Sequence, residues 1–337
     1  MDTMPLYTPE AVVKQGRKHF SSIGLMYFLG TLVIYALQLC AVAVIKKFFP
    51  DILNDPNISL LCNMALMYLI SMPLMMLMIR SVPAVKVEKH SMSFGKLMIA
   101  MIMCYSIMYC SNIIGTFITF IIGMVKGTPV NNVIQEVATS IHPLTSFFVM
   151  VICAPVMEEL IFRKLLVDRA VRYGQGVAIV LSGLMFGLFH GNLSQFVYAF
   201  TLGMFLAFLY VRTGKIQYTI ALHMAVNFVG GVIAPLLLRL MDYDALNAAM
   251  ASQDERVIMQ AMADVLPGLL VFFLYLLFLF GVVIAGIVLL IVYRKRFRLA
   301  GGSVLPKGKR FSTMILNVGM ILFSLFWIVM IVMQLLE

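Results

Sequence analysis

Long apolar segments, separated by short polar ones, make up most of this chain. Nine segments are apolar enough to form membrane-crossing helices, for which about 20 residues are needed. None alternates polar and apolar residues as the strands of a transmembrane barrel do. The pattern therefore predicts an all-α fold, a polytopic transmembrane helical bundle of eight or nine spans. The predicted spans are 23–45, 58–79, 97–125, 145–167, 177–190, 193–211, 217–241, 267–293 and 313–336.

Two local features refine this pattern. The fifth span is short, and only Gly191 and Asn192 separate it from the sixth. This pair favours a tight hairpin that lies below the far membrane face. Before the first span, residues 8–20 are expected to form a short helix at the inner interface, with Thr8 as the N-cap and Pro9 at the first helical position.

Composition and charge support a membrane location. Of the 337 residues, 62% are hydrophobic and 12% are charged, whereas a soluble domain carries about 25% charged residues. A soluble enzyme and a nucleic-acid-binding protein are thereby excluded, and the net charge of +10 is interpreted as the signature of cytoplasmic loops. With the N-terminus in the cytoplasm, 20 of the 25 Lys and Arg residues fall in cytoplasmic segments. Acidic residues crowd an outer segment instead: Asp242, Asp244, Asp254, Glu255 and Asp264.

The spans and charges divide the chain into four regions. The basic segment 294–310 is interpreted as a topology anchor, with docking to anionic lipids or to a partner as the alternative. The regions are a cytoplasmic N-terminal segment (1–22), N-terminal transmembrane helices (23–144), a core that carries the candidate chemistry (145–230), and C-terminal transmembrane helices (231–337) with an outer loop at 242–266.

Four ionisable residues stand out because they lie within apolar segments. Glu158 and Glu159 are the only acidic residues inside a predicted span, and His190 and His223 are the only histidines there. An ionisable group inside a bilayer costs several kcal/mol, so each of the four is a candidate functional residue. Carboxylates together with imidazoles are also the groups that a water-activating site requires.

The two carboxylates differ in their helical geometry. Glu159 and Arg163 are four residues apart, which predicts a shared helix face and an ion pair. Glu158 points about 100° away and is free to face a cavity. Pro155 leaves a main-chain carbonyl one turn earlier without its donor, as at kinks that line polar cavities. The alternative is a purely structural Glu–Arg contact at a helix end.

The two histidines have partners at the same spacing. Phe186 precedes His190 by four residues and is expected to wall one side of the imidazole, although a lone Phe is more often a core residue. His223 and Asn227 are four residues apart and share a face. A single His within a helix is more often a packing residue, but two of them together with a Glu pair favour catalysis. At a rise of 1.5 Å per residue, the polar groups lie roughly 9–20 Å from the inner ends of their spans, so their depths overlap.

At these positions the chain resembles the CPBP group of intramembrane proteases, which includes CAAX prenyl endopeptidases and bacteriocin-processing or immunity proteins. The three motifs of the group are Glu-Glu-x-x-x-Arg, Phe-x-x-x-His and His-x-x-x-Asn/Asp. The resemblance covers about residues 145–230. In this chain the motifs occur in the same order as Glu158-Glu159…Arg163, Phe186…His190 and His223…Asn227.

The resemblance implies a hydrolytic site. Glu158, helped by His190, is expected to hold and deprotonate the attacking water. His223 and Asn227 are expected to stabilise the oxyanion of the tetrahedral intermediate, as polar donors in a dry cavity can. The remaining motif residues are expected to support these four: Glu159, Arg163 and Phe186.

A divalent metal is one of two open alternatives for the mechanism. Glu158, His190 and His223 resemble the two-His, one-carboxylate ligand set of a zinc-like ion, although the HExxH signature of soluble metalloproteases is absent. A metal-free mechanism that depends on the glutamate fits the same residues.

The expected function is that of an intramembrane endopeptidase in a bacterial cell membrane. Its partners are then membrane lipids and a membrane-associated peptide or protein substrate, such as a CAAX-type prenyl protein or a bacteriocin leader peptide, and no nucleic acid. A non-catalytic immunity or scaffold protein and a proton-coupled transporter are the alternatives from other classes. The transporter would favour internal repeats and paired broken helices, and the sequence shows neither.

Overall fold

The computed structural model describes residues 8–130, 140–241, 243–299 and 301–336. Within these ranges the chain forms eleven α-helices and no strand. Eight of the helices are long and apolar enough to cross a membrane, which confirms the predicted polytopic bundle. The helices are α1 (Pro9–Phe48), α2 (Pro56–Arg80), α3 (Phe94–Lys126), α4 (Pro143–Tyr173), α5 (Gln175–Phe189), α6 (Leu193–Thr213), α7 (Ile216–Arg239), α8 (Tyr243–Ser252), α9 (Glu255–Val292), α10 (Arg310–Ile315) and α11 (Val318–Leu336).

The short helix α5 forms an antiparallel hairpin with α6, as the sequence predicts. Gly191 in the turn has a φ of +67°, a conformation that glycine adopts at little cost. A Cβ on Gly191 would lie 3.1 Å from the ring of Trp327, which is the tenth of the nineteen residues of α11. The turn therefore lies beside the middle of α11, and α5 is a shorter apolar helix that is not among the eight candidate spans. The ninth crossing stays a prediction.

The first helix differs from the prediction. Thr8 is the N-cap and accepts a hydrogen bond from Ala11 N at 3.3 Å, and Pro9 is the first helical residue. However, residues 8–20 do not form a separate interfacial helix, because α1 continues without a break to Phe48. The polar segment stays helical since its side chains are packed: His19 and Phe20 are buried. Of the predicted segment 1–22, residues 1–7 lie outside the described part of the chain, as do residues 131–139 of the second region.

The prediction of an outer loop at 242–266 is also wrong. Its described residues form α8 and the first turns of α9, and Asp254 caps α9 by accepting a hydrogen bond from Arg256 N at 2.9 Å. Pro267 lies inside α9 and does not begin it. A polar segment beyond the bilayer is as compatible with a helix as with a loop, so hydropathy alone misplaced the helix start. Asp242 and the side chain of Asp244 lie outside the described part of the chain.

The segments predicted to be cytoplasmic gather at one end of the bundle. Val85, between α2 and α3, donates its N–H to the carbonyl of Asp168 at 2.6 Å. Ser303, between α9 and α10, donates its hydroxyl to the carbonyl of Tyr173 at 2.7 Å. This grouping agrees with the charge asymmetry of the sequence, and the side of the membrane that this end faces stays a prediction.

Helix α4 is held in place where it departs from regular α-helical geometry. Its π-helical stretches are Phe147–Cys153 and Leu160–Leu165. The carbonyl of Ile161 accepts a hydrogen bond from the Tyr27 hydroxyl at 2.6 Å, and that of Phe162 accepts one from the Ser182 hydroxyl at 2.8 Å. Because π-helical turns leave carbonyls that need other donors and are frequent at functional sites, these contacts fix α4 against α1 and α5.

Two glycines let α5 and α6 approach each other closely. A Cβ on Gly203 would lie 2.9 Å from the ring of Phe186 and 3.1 Å from Cα of Gly183. A Cβ on Gly183 would lie 2.7 Å from the carbonyl oxygen of Phe200. The close helix crossing presses Phe186 towards α4, where the intramembrane carboxylates lie.

Candidate active site

Helix α4 places its two neighbouring glutamates in different surroundings. Glu159 and Arg163 are fully buried, and Arg163 Nε lies 3.2 Å from Glu159 Oε2, as the four-residue spacing predicts. Glu158 keeps 17% of its side chain exposed. One carboxylate is therefore neutralised inside the protein, whereas the other is accessible for chemistry.

The buried cation has few partners besides Glu159. None of the three guanidinium nitrogens of Arg163 has a hydrogen bond of good geometry with a described atom, so its contact with Glu159 is an ion pair. The guanidinium stacks on the ring of Phe186, with Cζ 4.2 Å from the ring centroid. Since an aromatic face attracts a cation, Phe186 and Glu159 share the stabilisation of this charge.

His223 of α7 bridges the two glutamates. Its Nδ1 lies 2.9 Å from Glu159 Oε1, and its Nε2 lies 3.7 Å from Glu158 Oε2. Because a carboxylate accepts a hydrogen bond, Nδ1 carries a proton, and Nε2 faces Glu158. The distance of 3.7 Å is too long for a direct hydrogen bond, and one water beside the pair can contact both groups.

His190, just after α5, is oriented by its own helix. Its Nδ1 donates to the carbonyl of Phe186 at 2.8 Å, which leaves Nε2 as an acceptor. The ring of Phe186 stands perpendicular to both imidazoles, at centroid distances of 4.7 Å to His190 and 5.7 Å to His223. Phe186 therefore walls one side of the His190 imidazole, as the spacing predicts, and also contacts His223.

Asn227 is fixed through the main chain of α4. Its Nδ2 donates to the carbonyl oxygen of Met150 at 2.8 Å. In this π-helical stretch the N–H of Ala154 bonds to the carbonyl of Val149, so the next donor in register would be residue 155. Pro155 has no N–H, and the carbonyl of Met150 is therefore free to accept from Asn227. This is the freed carbonyl that the sequence predicts near Pro155.

The motif residues form one connected arrangement, apart from Asn227. Asn227 contacts the main chain of α4 and shares α7 with His223. Six residues are linked by ion pairs, hydrogen bonds or ring contacts: Glu158, Glu159, Arg163, Phe186, His190 and His223.

The candidate metal ligands do not assemble into a three-ligand set. Among the described residues, no group of three His, Cys, Asp or Glu side chains is arranged to hold a metal ion. Glu158 and His223 face each other. His190 lies near Glu158, but among the described residues it forms no ion pair with it. The side chains as placed do not fit a zinc-like site, and no reaction step is assigned to a metal.

Several residues that shape the site were not identified from the sequence. Tyr27 and Ser182 hold α4, and the carbonyl of Met150 positions Asn227. Tyr68 and Tyr198 lie near Glu158. The available signal was the tyrosines themselves, because a Tyr within an apolar span needs a hydrogen-bond partner for its hydroxyl.

The comparisons with known proteins point to the same part of the chain. Residues 140–229 match the family model of the Rce1-like type II CAAX prenyl endopeptidases. The match covers α4, α5, α6 and most of α7, and it includes all seven motif residues. Neither a curated protein nor a solved structure matches significantly. The family match confirms the resemblance in the motifs: the chain is an integral membrane protein in which residues 140–229 are similar to the Rce1-like type II CAAX prenyl endopeptidases.

Proposed function

We propose that Glu158 and His223 activate a water molecule for the hydrolysis of a peptide bond within the membrane. The observation that carries this proposal is the 3.7 Å separation of Glu158 Oε2 and His223 Nε2, with His223 held from behind by Glu159 at 2.9 Å. A base must reach the proton it removes directly or through one water. A water beside this pair lies within reach of both groups. We therefore assign His223 to the water, whereas the resemblance implied a role for it at the oxyanion.

The reaction follows general acid–base chemistry. Glu158 accepts a proton from the water while the water oxygen bonds to the scissile carbonyl carbon. The carbonyl oxygen becomes an oxyanion. The protonated Glu158 then gives this proton to the amide nitrogen, the C–N bond breaks, and the products are a carboxylic acid and an amine. Such a positioned acid–base group accelerates reactions by about 10²–10⁴-fold.

The other polar residues support this step. Asn227 uses one amide N–H on Met150 and keeps the second for the oxyanion, which polar donors stabilise strongly in a site that excludes water. His190 presents Nε2 as an acceptor and helps to orient the water. Glu159 and Arg163 act through His223 and through the fold, so they are positioning residues.

The substrate class that best fits is a membrane-associated peptide. The site lies among membrane-spanning helices, so the scissile bond must enter the apolar region. The family description names CAAX prenyl endopeptidases, and we propose a prenylated, CAAX-type C-terminal segment as the first candidate. A bacteriocin-type leader peptide is the second, and a bacterial cell membrane with a cytoplasmic N-terminus is the proposed location.

The proposal is tested with purified full-length protein and with cells. Cleavage of a farnesylated CAAX peptide, the same peptide without the lipid, and an apolar leader peptide is followed by mass spectrometry for the wild type and Glu158→Gln. Glu255→Gln, at an exposed position of α9, is the matched control. Of the two variants, we expect only Glu158→Gln to lose cleavage. In cells, the membrane peptides whose amounts differ between the two variants identify the natural substrate. Unchanged cleavage by Glu158→Gln would overturn the proposal.

A further inference from the structure

A large cavity opens at the basic end of the bundle, away from the motif residues. Its volume is about 1180 Å³, which exceeds the roughly 300–1,000 Å³ typical of small-molecule sites. The walls come from the ends of α3, α4, α5 and α6, and from the segments that follow α2 and α9. None of the seven motif residues lines it, so peptide hydrolysis does not account for it.

The inner wall of the cavity is apolar. Met103 of α3 and Phe205 and Leu209 of α6 line it and are buried. Phe297, just beyond α9, packs on Phe208 with a centroid distance of 5.1 Å. A surface of this kind favours contact with hydrocarbon over contact with water.

The rim of the cavity is strongly basic. Seven Lys and Arg side chains line it, against a single carboxylate, that of Glu88. In the described part of the chain, none of the seven forms an ion pair with a carboxylate. Like charges gathered without counter-charges attract an anion. The seven are Lys86, Lys96, Arg172, Arg212, Lys295, Arg296 and Arg298.

The rim is held together by the fold. His90 donates its N–H to the carbonyl of Thr213 at 2.8 Å, and Lys215 Nζ donates to Ser91 Oγ at 2.7 Å. Gly214 has a φ of +59°, and a Cβ there would overlap the main chain of Glu88. The segment between α2 and α3 is therefore docked on the end of α6, which brings cations from distant parts of the chain to one opening.

We propose that this cavity binds an anionic glycerophospholipid. Its phosphate lies among the cations of the rim, and an acyl chain lies against the apolar wall. The rim lies where spanning helices end, which is the depth of the lipid headgroups. Arginine binds phosphate oxygens with paired hydrogen bonds. Free phosphate or an acidic peptide would use the rim but not the apolar wall, so the lipid satisfies both parts of the cavity.

The test titrates the purified full-length protein, in a neutral detergent, with phosphatidylglycerol or phosphatidylcholine. Thermal unfolding and native mass spectrometry report stabilisation and retained lipid. We expect phosphatidylglycerol to raise Tm saturably, as a ligand of the folded state does, and phosphatidylcholine to leave it unchanged. Lys96→Gln/Arg212→Gln, at two exposed positions of the rim, should weaken the apparent affinity for phosphatidylglycerol about tenfold or more, a loss of about 1.4 kcal/mol.

A matched variant separates the cavity from general charge effects. Lys307→Gln/Lys309→Gln removes the same charge from an exposed segment that does not line the cavity, and it should bind phosphatidylglycerol like the wild type. Equal stabilisation by phosphatidylcholine, or equal weakening in both double variants, would overturn the proposal. Stabilisation by inorganic phosphate or by a poly-glutamate peptide as strong as that by phosphatidylglycerol would also overturn it, and would assign the cavity to a soluble anion or to a protein partner.

Discussion

The side-chain amide of Asn227 donates a hydrogen bond of 2.8 Å to the main-chain carbonyl of Met150. This contact ties the third motif, on α7, to the π-helical stretch that precedes the first motif on α4. The carbonyl is free because Pro155 lacks the N–H that would otherwise reach it. Pro155 and Asn227 therefore both determine how this one carbonyl is bonded, although they lie on different helices.

Pro155 and Asn227 are expected to be coupled in stability. Asn227→Ala leaves the carbonyl of Met150 without a donor and should lower the free energy of unfolding by about 1–3 kcal/mol. In a Pro155→Ala background the new N–H can bond to the same carbonyl, so the cost of Asn227→Ala should fall by about 1 kcal/mol. Reversible unfolding of the four proteins of this cycle in detergent measures the coupling. Additive effects of the two substitutions would contradict this account.

The two glutamates of the first motif are expected to fail in different ways. Glu158→Gln should abolish cleavage with normal stability, because Glu158 is partly exposed and is not the main partner of Arg163. Glu159→Gln should lower the free energy of unfolding by about 3–5 kcal/mol, since it leaves a fully buried Arg163 without its counter-charge. Expression yield, thermal unfolding and cleavage rate are compared for both variants. Equal, purely catalytic losses with normal stability in both would refute this division of roles.

The sequence predicts those parts of the site that depend on one helix alone. The ion pair of Glu159 with Arg163 follows from a spacing of four residues, and the free carbonyl near Pro155 follows from the chemistry of proline. The link from His223 to Glu159 and that from Asn227 to Met150 join α4 to α7. They depend on how the helices pack, and the periodicity of a single helix carries no such information.

Predictions of the fold divide in the same way: some features follow from a single segment and were predicted, whereas others were not. Apolar segments predict the eight long spans and the turn at Gly191, because both follow from hydropathy and glycine chemistry. The start of α9 at Glu255 was not predicted, since the bilayer constrains only the apolar part of a helix. The cavity with the basic rim was also not predicted, because Lys96 and Arg298 come together only through the docking of separate segments.

Topology is predicted by the distribution of Lys and Arg. Ser91 lies in the segment between α2 and α3, and Ser252 at the end of α8; both side chains are exposed. We expect a cysteine at position 91 to face the cytoplasm and one at position 252 to face the opposite side. Labelling of intact cells with a membrane-impermeant reagent, in a background without the native cysteines, should mark only position 252. Labelling of position 91 alone would invert the orientation.

Asn227→Asp separates two roles for the third motif, because the motif of the family accepts either residue. A carboxylate cannot donate to the carbonyl of Met150 and would place negative charge near the developing oxyanion. We therefore expect Asn227→Asp to cleave no faster than Asn227→Ala, and both to lose about 10²–10³-fold in kcat, the cost of removing one oxyanion donor. The measurement is single-turnover cleavage of a reconstituted peptide, with thermal unfolding as the control for folding. If Asn227→Asp kept a rate near that of the wild type, the oxyanion role would have to give way to one in which residue 227 binds the water, which Asp can also do.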